Sequence, residues 1–449
     1  MKNNELLNDD ITTLIKKIAI PSSVGMFFNT MYNIVDTFYV GSISTVAITA
    51  LSYSFVIFFM LFSIGFGLSS AMTAHVGNSL GNHKNFLAKI FTTNGMTFVF
   101  LVSNILSFLG FVFLEDILTL IGASDKALVL SYQYTYVVLY STVPMLLGLG
   151  ANAVLVAKGD TKSYRNTLIF AFFLNLILDP LFMYGYGFVP AFGFIGVAYA
   201  TVLIHFITFF YIMFKLYRTG LFDFTMMKLF VPDIRIYKKL TIQAMPMSIN
   251  MFVMSIGTMI VLYFISFYGY KTVAAFGIGY RVEQIILLPI LGLNTAVSSI
   301  VANNFGAKNY DRITQVMQKA LKYGYIMCFV GMFVLVIFGK YIIMLFDNDM
   351  EVVNISYTYI VVESFIFFAF TTLFISISTL QGIKQPFIVP YVSVYRQLIM
   401  PYICLYILVE IYFVNILIVW IVMALITYSS AIWLYIYTKK KLNTIEKYS

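Results

Sequence analysis

Charge is what this sequence is short of. Asp, Glu, Lys and Arg together make up 10% of its 449 residues, against 61% hydrophobic, where a soluble domain carries roughly 25% charged residues. So little charge could not cover a water-facing surface, which excludes an ordinary globular protein. Cysteine is nearly absent. Cys328 and Cys404 both fall inside apolar runs and read as small buried hydrophobes, and no Cys/His spacing suggests a metal cluster. No paired His/Glu metal motif and no GxSxG nucleophile elbow occurs, so an enzyme is not expected. The apolar/polar alternation of a membrane β-barrel is missing too.

What is present is a series of apolar runs of about 20 residues or more, the length that crosses a hydrocarbon core of ~30 Å. In lipid the backbone must satisfy its own hydrogen bonds, so the runs must be helices. Twelve spans are expected, over 14–40, 46–76, 88–113, 130–156, 164–187, 193–215, 240–267, 273–302, 314–338, 355–380, 388–410 and 415–438. The polar opening stretch, residues 1–17, reads as a flank rather than a cleavable signal, with the first span an uncleaved anchor. Lys and Arg gather at the N-terminus, the even-numbered loops and the C-terminal tail, whereas the odd-numbered loops hold only Lys126, Lys271 and Lys340. Both termini are therefore expected in the cytoplasm, in a bacterial plasma membrane. The net charge of +9 reflects these loop ends, which meet anionic lipid headgroups, and implies no nucleic-acid partner.

The chain repeats itself at a constant offset, the one that carries Pro21 onto Pro246. Ser23 then matches Ser248, Gly67-Leu68 matches Gly292-Leu293, and VGNSLGN (76–82) aligns with VANNFGA (301–307). Two six-span halves are expected, 1–225 and 226–449, in parallel orientation, an arrangement transporters use to rock about a site. The most polar interior stretch, 216–239, reads as the hinge between them. A single-file channel would more naturally use identical subunits, and the chain is expected to act as a monomer.

A charge inside the bilayer costs about 2.5–3.5 kcal/mol even on a lenient scale, so each one needs a reason. Asn29, Asn33 and Asp36 sit at i, i+4 and i+7 and share one face of span 1. Asp36 matches Val261 in the repeat, so this acid belongs to the first half alone. Asn175 and Asp179 share a face of span 5, followed by Pro180, which frees backbone carbonyls. An acid, an amide oxygen and carbonyls are hard ligands for a small cation, and a lone acid suits reversible protonation; a structural carboxylate at 36 or a capping role for Asp179 near the interface are the blander readings. In the second half, Glu283 lies two residues from Arg281, so the two point in different directions and each needs another partner. Arg396 could snorkel to the interface, Glu363 could face the outer vestibule, and His205 reads as a packing histidine. The 45 Phe, 33 Tyr and 23 Met offer an adaptable apolar wall for amphipathic ligands, and aromatic faces for cationic ones.

Together, Pro21 with VDTFYVG (35–41), NLILDPLF (175–182), and RVEQIILLPILGLNTAVSSIVANNFGAKNYDR (281–312) resemble the multidrug and toxic compound extrusion (MATE) family over nearly the whole chain. NxxxDP and the run from Arg281 to Lys308, with Arg396, Gln397 and Pro401, look like its DinF-like bacterial branch. The resemblance implies an all-helical twelve-span antiporter that exports small organic molecules against inward H⁺ or Na⁺, with no other cofactor. It implies a cation site at Asp36, Asn175, Asp179 and Thr201, with Na⁺ on the first three if Na⁺ couples. It also implies that span 1 bends near Pro21. Asn33, Glu283, Arg281, Arg396 and Glu363 are further candidates for substrate or proton contact. Span 12 departs from the branch, with Thr427 where an acid stands, and span 7 lacks a carboxylate. A flippase for a lipid-linked sugar would favour a cationic cavity, and only Arg281 and Arg396 lie within spans.

Overall fold

The computed structural model describes residues 4–187, 189–223 and 231–447. Eleven helices among them are long and apolar enough to cross a membrane, and a twelfth crossing forms if one bent pair counts as a single span. After a single turn at Glu5–Asn8, the helices are α1 (Ile11–Gly41), α2 (Thr45–Gly81), α3 (Asn85–Leu120), the bent α4 (Asp125–Leu139 with Thr142–Ala157), α5 (Lys162–Tyr184), α6 (Phe194–Arg218), α7 (Ile234–Ser266), α8 (Tyr270–Gly306), α9 (Tyr310–Met344), α10 (Met350–Gly382), α11 (Pro386–Ile411) and α12 (Ile416–Lys447). Each expected span lies on one of them, with a few residues of difference at the ends. Several run well past the apolar stretch. α8 has 37 residues, or about 55 Å at ~1.5 Å per residue, because Asn and Gly beyond residue 302 end the hydropathy without ending the helix.

Local chemistry explains the irregularities. α4 bends by 52° at its break, where Pro144 has no N–H for the Tyr140 carbonyl four residues back and its ring crowds that turn. α11 contains π turns at Tyr395–Ile399 and Tyr406–Ile411, on either side of Pro401, whose missing N–H the wider turns accommodate.

The chain divides into two compact units, residues 24–248 on one side and residues 1–23 with 249–449 on the other. Residues 1–23 and 226–248 thus each group with the opposite half from the one the sequence repeat suggests. The described residues of the expected hinge, 216–239, group with unit 24–248, and its residues 224–230 are outside the described ones. The chain instead passes between units inside α1, two residues after Pro21, and inside α7, two residues after Pro246.

Packing explains this exchange. In unit 24–248, Gly67 of α2 approaches α7 so closely that a Cβ there would stand 2.6 Å from the Ala244 carbonyl oxygen and against Ser248 Oγ. In the other unit, Gly292 of α8 approaches α1, and a Cβ would stand 2.5 Å from the Ala19 carbonyl oxygen and against Ser23 Oγ. Each contact pairs a glycine with an Ala-xxx-Ser ridge, the small-residue geometry that lets helix backbones meet in lipid. The repeat offset carries all three residues of one contact onto, or back from, those of the other.

The N-terminal segment is tied down within its unit. Asn4 Nδ2 donates to Asn303 Oδ1 at 3.0 Å, Asn304 Nδ2 donates to the Leu6 carbonyl at 3.1 Å, and Arg312 donates to the Asp9 carbonyl. Asp10 Oδ2 accepts the Thr13 amide at 3.0 Å and caps α1. That bond, with Lys319 beside it, holds the Asp10 carboxyl below its usual range. A depressed acid stabilises the fold above its unfolded pKa, and this is lost as the pH falls through the folded value. Asp10→Ala is therefore expected to lower Tm at neutral pH, with the gap to wild type closing below about pH 4. A gap that does not change with pH would remove the carboxylate charge from the account.

Candidate cation-binding site

Unit 24–248 gathers the first-half acids. α1 and α5 lie side by side there, and the i, i+4 spacing of Asn175 and Asp179 turns both toward Asp36. Asn175 Nδ2 donates to Asp36 Oδ1 and to Asp179 Oδ1, at 2.9 Å each. Asp36 is 3% exposed, and Asn175 and Asp179 are 0% exposed. No lysine or arginine pairs with either acid: the four ion pairs among the described residues all lie elsewhere.

Thr201 on α6 is buried beside the group, where its Oγ1 accepts from Tyr32 Oη at 3.1 Å. Tyr32 and Tyr134 both lie within electrostatic range of Asp36 and Asp179. Neither tyrosine stands out in the sequence, yet Tyr32 lies one helical turn before Asp36 on the same face. Removing its hydroxyl leaves Thr201 without that donor, at a cost of about 1 kcal/mol. Tyr32→Phe is accordingly expected to weaken cation binding about fivefold, read by calorimetric titration of the purified protein; an unchanged affinity would exclude Thr201 from the site.

Two buried oxygens of this group, Asn175 Oδ1 and Asp179 Oδ2, have no hydrogen-bond partner. Buried acceptors rarely go unmatched. Orphaned acceptors beside two carboxylates suit either a proton, which turns one carboxyl oxygen into a donor, or a hard monovalent cation that prefers oxygen. The residues present therefore fit such an ion, with Asp36, Asn175 and Asp179 as its ligands and Thr201 at the margin.

The group opens on a cavity of 220 Å³ within the same unit, whose walls include Asn33, Asp36, Phe58, Phe62, Tyr134 and His205. No Lys or Arg lines it. Asn33 Nδ2 donates back to the Asn29 carbonyl at 3.0 Å. His205 Nδ1 and Ser141 Oγ are 2.9 Å apart, and its ring stacks on Phe58 at 6.3 Å, the satisfied packing role expected of it.

The second-half candidates separate. Glu283 is buried, and its Oε2 accepts from Tyr359 Oη at 2.8 Å, whereas Arg281 is exposed. Arg396 does not snorkel: it is 8% exposed on the first π turn of α11, over the Phe370 ring at 5.5 Å. Glu363 is half-buried rather than open to a vestibule, and its Oε2 is sealed without a partner. Pro21 sits inside an unbroken α1.

Buried acids without basic partners, in a helical membrane bundle built from two repeats, define a membrane transporter that handles a cation. The chain belongs to the MatE family, whose pattern matches residues 21–181 and again 246–407. The two matches begin at Pro21 and at Pro246, the same pair that sets the internal repeat. This is a family of transporters, not of enzymes. The probable multidrug resistance protein YoeA of Bacillus subtilis is 31% identical over 317 residues, covering 69% of this chain and 68% of that one. An FAD transporter of Shewanella oneidensis is 25% identical over 363 residues, 80% and 79% of the two chains. The fold matches the outward-facing structure of a multidrug resistance MATE family transporter of the MOP superfamily with a TM-score of 0.92, at 21% identity and over 99% of each chain.

Proposed function

We propose that this protein exports small cationic or amphipathic organic molecules from a bacterial cell by exchange for inward H⁺ or Na⁺. It would act as a monomer of the DinF-like branch, with both termini cytoplasmic. The observation that carries the reading is the buried Asp36–Asn175–Asp179 chain, with its orphaned oxygens, at the wall of an aromatic cavity lined by no lysine or arginine. Such a cavity repels phosphate and favours an organic cation on aromatic faces. The names of multidrug relatives in Bacillus and, at 21% identity, the multidrug export protein MepA of Staphylococcus aureus support it.

Alternating access follows from differential affinity alone. A cation bound at Asp36 and Asp179 and a drug in the cavity must favour opposite states for one gradient to drive the other. Pro21, two residues before α1 passes from one compact unit to the other, is the natural place for that helix to flex, because the carbonyl of Lys17 has no amide to hold it. The flippase reading, and export of a nucleotide like the substrate named for the Shewanella relative, both call for a cationic cavity that this unit does not offer. The test is ethidium transport in proteoliposomes with H⁺ and Na⁺ gradients imposed separately. Efflux driven by either supports antiport, and transport that ignores both gradients would end the proposal.

A further inference from the structure

α9 carries a charge at the edge of the membrane that the rest of its unit does not use. Lys322 and Lys340 bracket a run, residues 323–339, without a charged side chain. The helix between the two lysines is about 27 Å long at ~1.5 Å per residue, close to the ~30 Å of a hydrocarbon core. They therefore stand at its two boundaries, at the height of lipid headgroups. Lys340 is engaged there, 5.2 Å from the centroid of the Tyr357 ring. The near neighbours of Lys322 are engaged as well. Lys319 Nζ donates to Asp10 Oδ1 at 3.4 Å, and Tyr323 Oη donates to Thr12 Oγ1 at 3.1 Å. These bonds set Lys322 level with the N-terminal segment. Lys322 itself is exposed and, among the described residues, makes no hydrogen bond, ion pair or ring contact.

Lys322 lines an open groove of 610 Å³, with Gln318, Tyr325, Ile326 and Phe329 of α9 and Phe368 of α10. Residues 318, 322, 325 and 329 stand at i, i+4, i+7 and i+11, along one face of the helix. The groove wall is pinned: Tyr325 Oη and Thr372 Oγ1 of α10 are 2.8 Å apart, and the Tyr325 and Phe368 rings lie 5.9 Å apart. The groove is thus polar at one end, at Gln318 and Lys322, and apolar or aromatic along the turns that follow. Such a groove on a membrane-crossing helix is filled by lipid chains, because the bilayer core holds no water. What can make it selective is the headgroup that its basic end meets.

The charge is peculiar to this place. The repeat offset carries Lys322 back onto Thr97, whose Oγ1 lies 2.9 Å from Tyr237 Oη, and Gln318 onto the buried Thr93. At the matched position a hydroxyl serves helix packing, so the fold itself requires no lysine there. A soluble anion would gain from the charge and nothing from the groove. A zwitterionic lipid would gain from the groove, but its own cation would offset the attraction to Lys322. An anionic phospholipid uses both. We propose that α9 and α10 form a binding site for one anionic phospholipid, with its phosphate on Lys322 and an acyl chain along Tyr325, Ile326 and Phe329. The site stands apart from the cation site and from the antiport reading, since lipid binding is measured without transport.

The experiment titrates the delipidated full chain in detergent with phosphatidylglycerol and, separately, with phosphatidylcholine of the same acyl chains. Native mass spectrometry reads the first lipid bound. Wild type should bind phosphatidylglycerol about fivefold more tightly, the effect of one lysine near an anionic headgroup. Lys322→Gln should erase that preference, and Lys322→Arg should keep it. Lys340→Gln, which removes the same charge at the opposite boundary, should leave it untouched. Ile326→Trp, which fills the groove, should weaken both lipids alike; because it keeps the lysine, it covers the case in which Lys322→Gln fails to fold. Inorganic phosphate should not displace the lipid. A preference that survives Lys322→Gln, or that disappears equally in Lys340→Gln, would overturn the site, as would an Ile326→Trp variant that binds both lipids like wild type. Displacement by inorganic phosphate would assign the lysine to a soluble anion and overturn it as well.

Discussion

Asp36→Asn is expected to abolish cation-driven export, by at least about 100-fold in initial rate, or about 2.7 kcal/mol of coupling, while leaving the amount of folded protein unchanged. The asparagine keeps the shape and can still accept from Asn175 Nδ2, so the α1–α5 contact survives. What it removes is the charge. Without it the site has no reason to hold a proton or Na⁺ more tightly in one state than in the other, and a ligand without differential affinity shifts nothing. Passive exchange of labelled drug across the membrane, down its own gradient, should persist. Asp179→Asn should behave similarly, and the double variant should be no worse than either single one, because both acids act as one group. The measurement is ethidium efflux in proteoliposomes with reconstituted protein quantified in parallel. Efflux by Asp36→Asn at the wild-type rate would falsify the assignment.

Gly67→Val and Gly292→Val should each destabilise the protein by about 3 kcal/mol, the upper range for overpacking a tight contact, and both should lower the yield of folded protein sharply. The obstruction is a backbone carbonyl, of Ala244 in one case and Ala19 in the other, 2.6 and 2.5 Å from where a Cβ would sit. A flexible side chain could swing aside, but a helix backbone cannot without moving the whole turn. The two variants should be affected alike, since the contacts are repeats of each other. Thermal unfolding in detergent reads the loss directly. A variant with wild-type Tm and normal transport would mean that α2 and α7, or α8 and α1, do not meet there.

The first-half acids are legible in the sequence because a carboxylate in an apolar run stands out whatever surrounds it. Asp36 and Asp179 show themselves this way, and the i, i+4 spacing puts Asn175 and Asp179 on one face, as the structure has them. The repeat is legible because Pro, Gly and Asn rarely coincide by accident in apolar sequence. Tyrosines are a different matter. With 33 of them and lipid as tolerant of an aromatic ring as the interior is, composition gives no means of separating Tyr32, Tyr134 and Tyr359 from the rest, although the repeat does relate the last two. Arg396 misleads for a related reason. A long basic side chain near a span end usually reaches water, and only the π turn and Phe370 explain why this one is kept inside. The stretch 216–239 reads as a hinge from its polarity, but polarity marks a loop and cannot reveal that the chain leaves one compact unit for the other inside α1 and α7.

That exchange has a consequence for how the chain could be divided. A cut between residues 223 and 231 would leave a first fragment whose start, through Ser23, packs among the helices of the second. It would also leave a second fragment whose own start, through Ser248, packs among those of the first. Neither piece holds a complete bundle of its own. Each lends the other a helix end, so two separately made pieces could satisfy their contacts only by clasping.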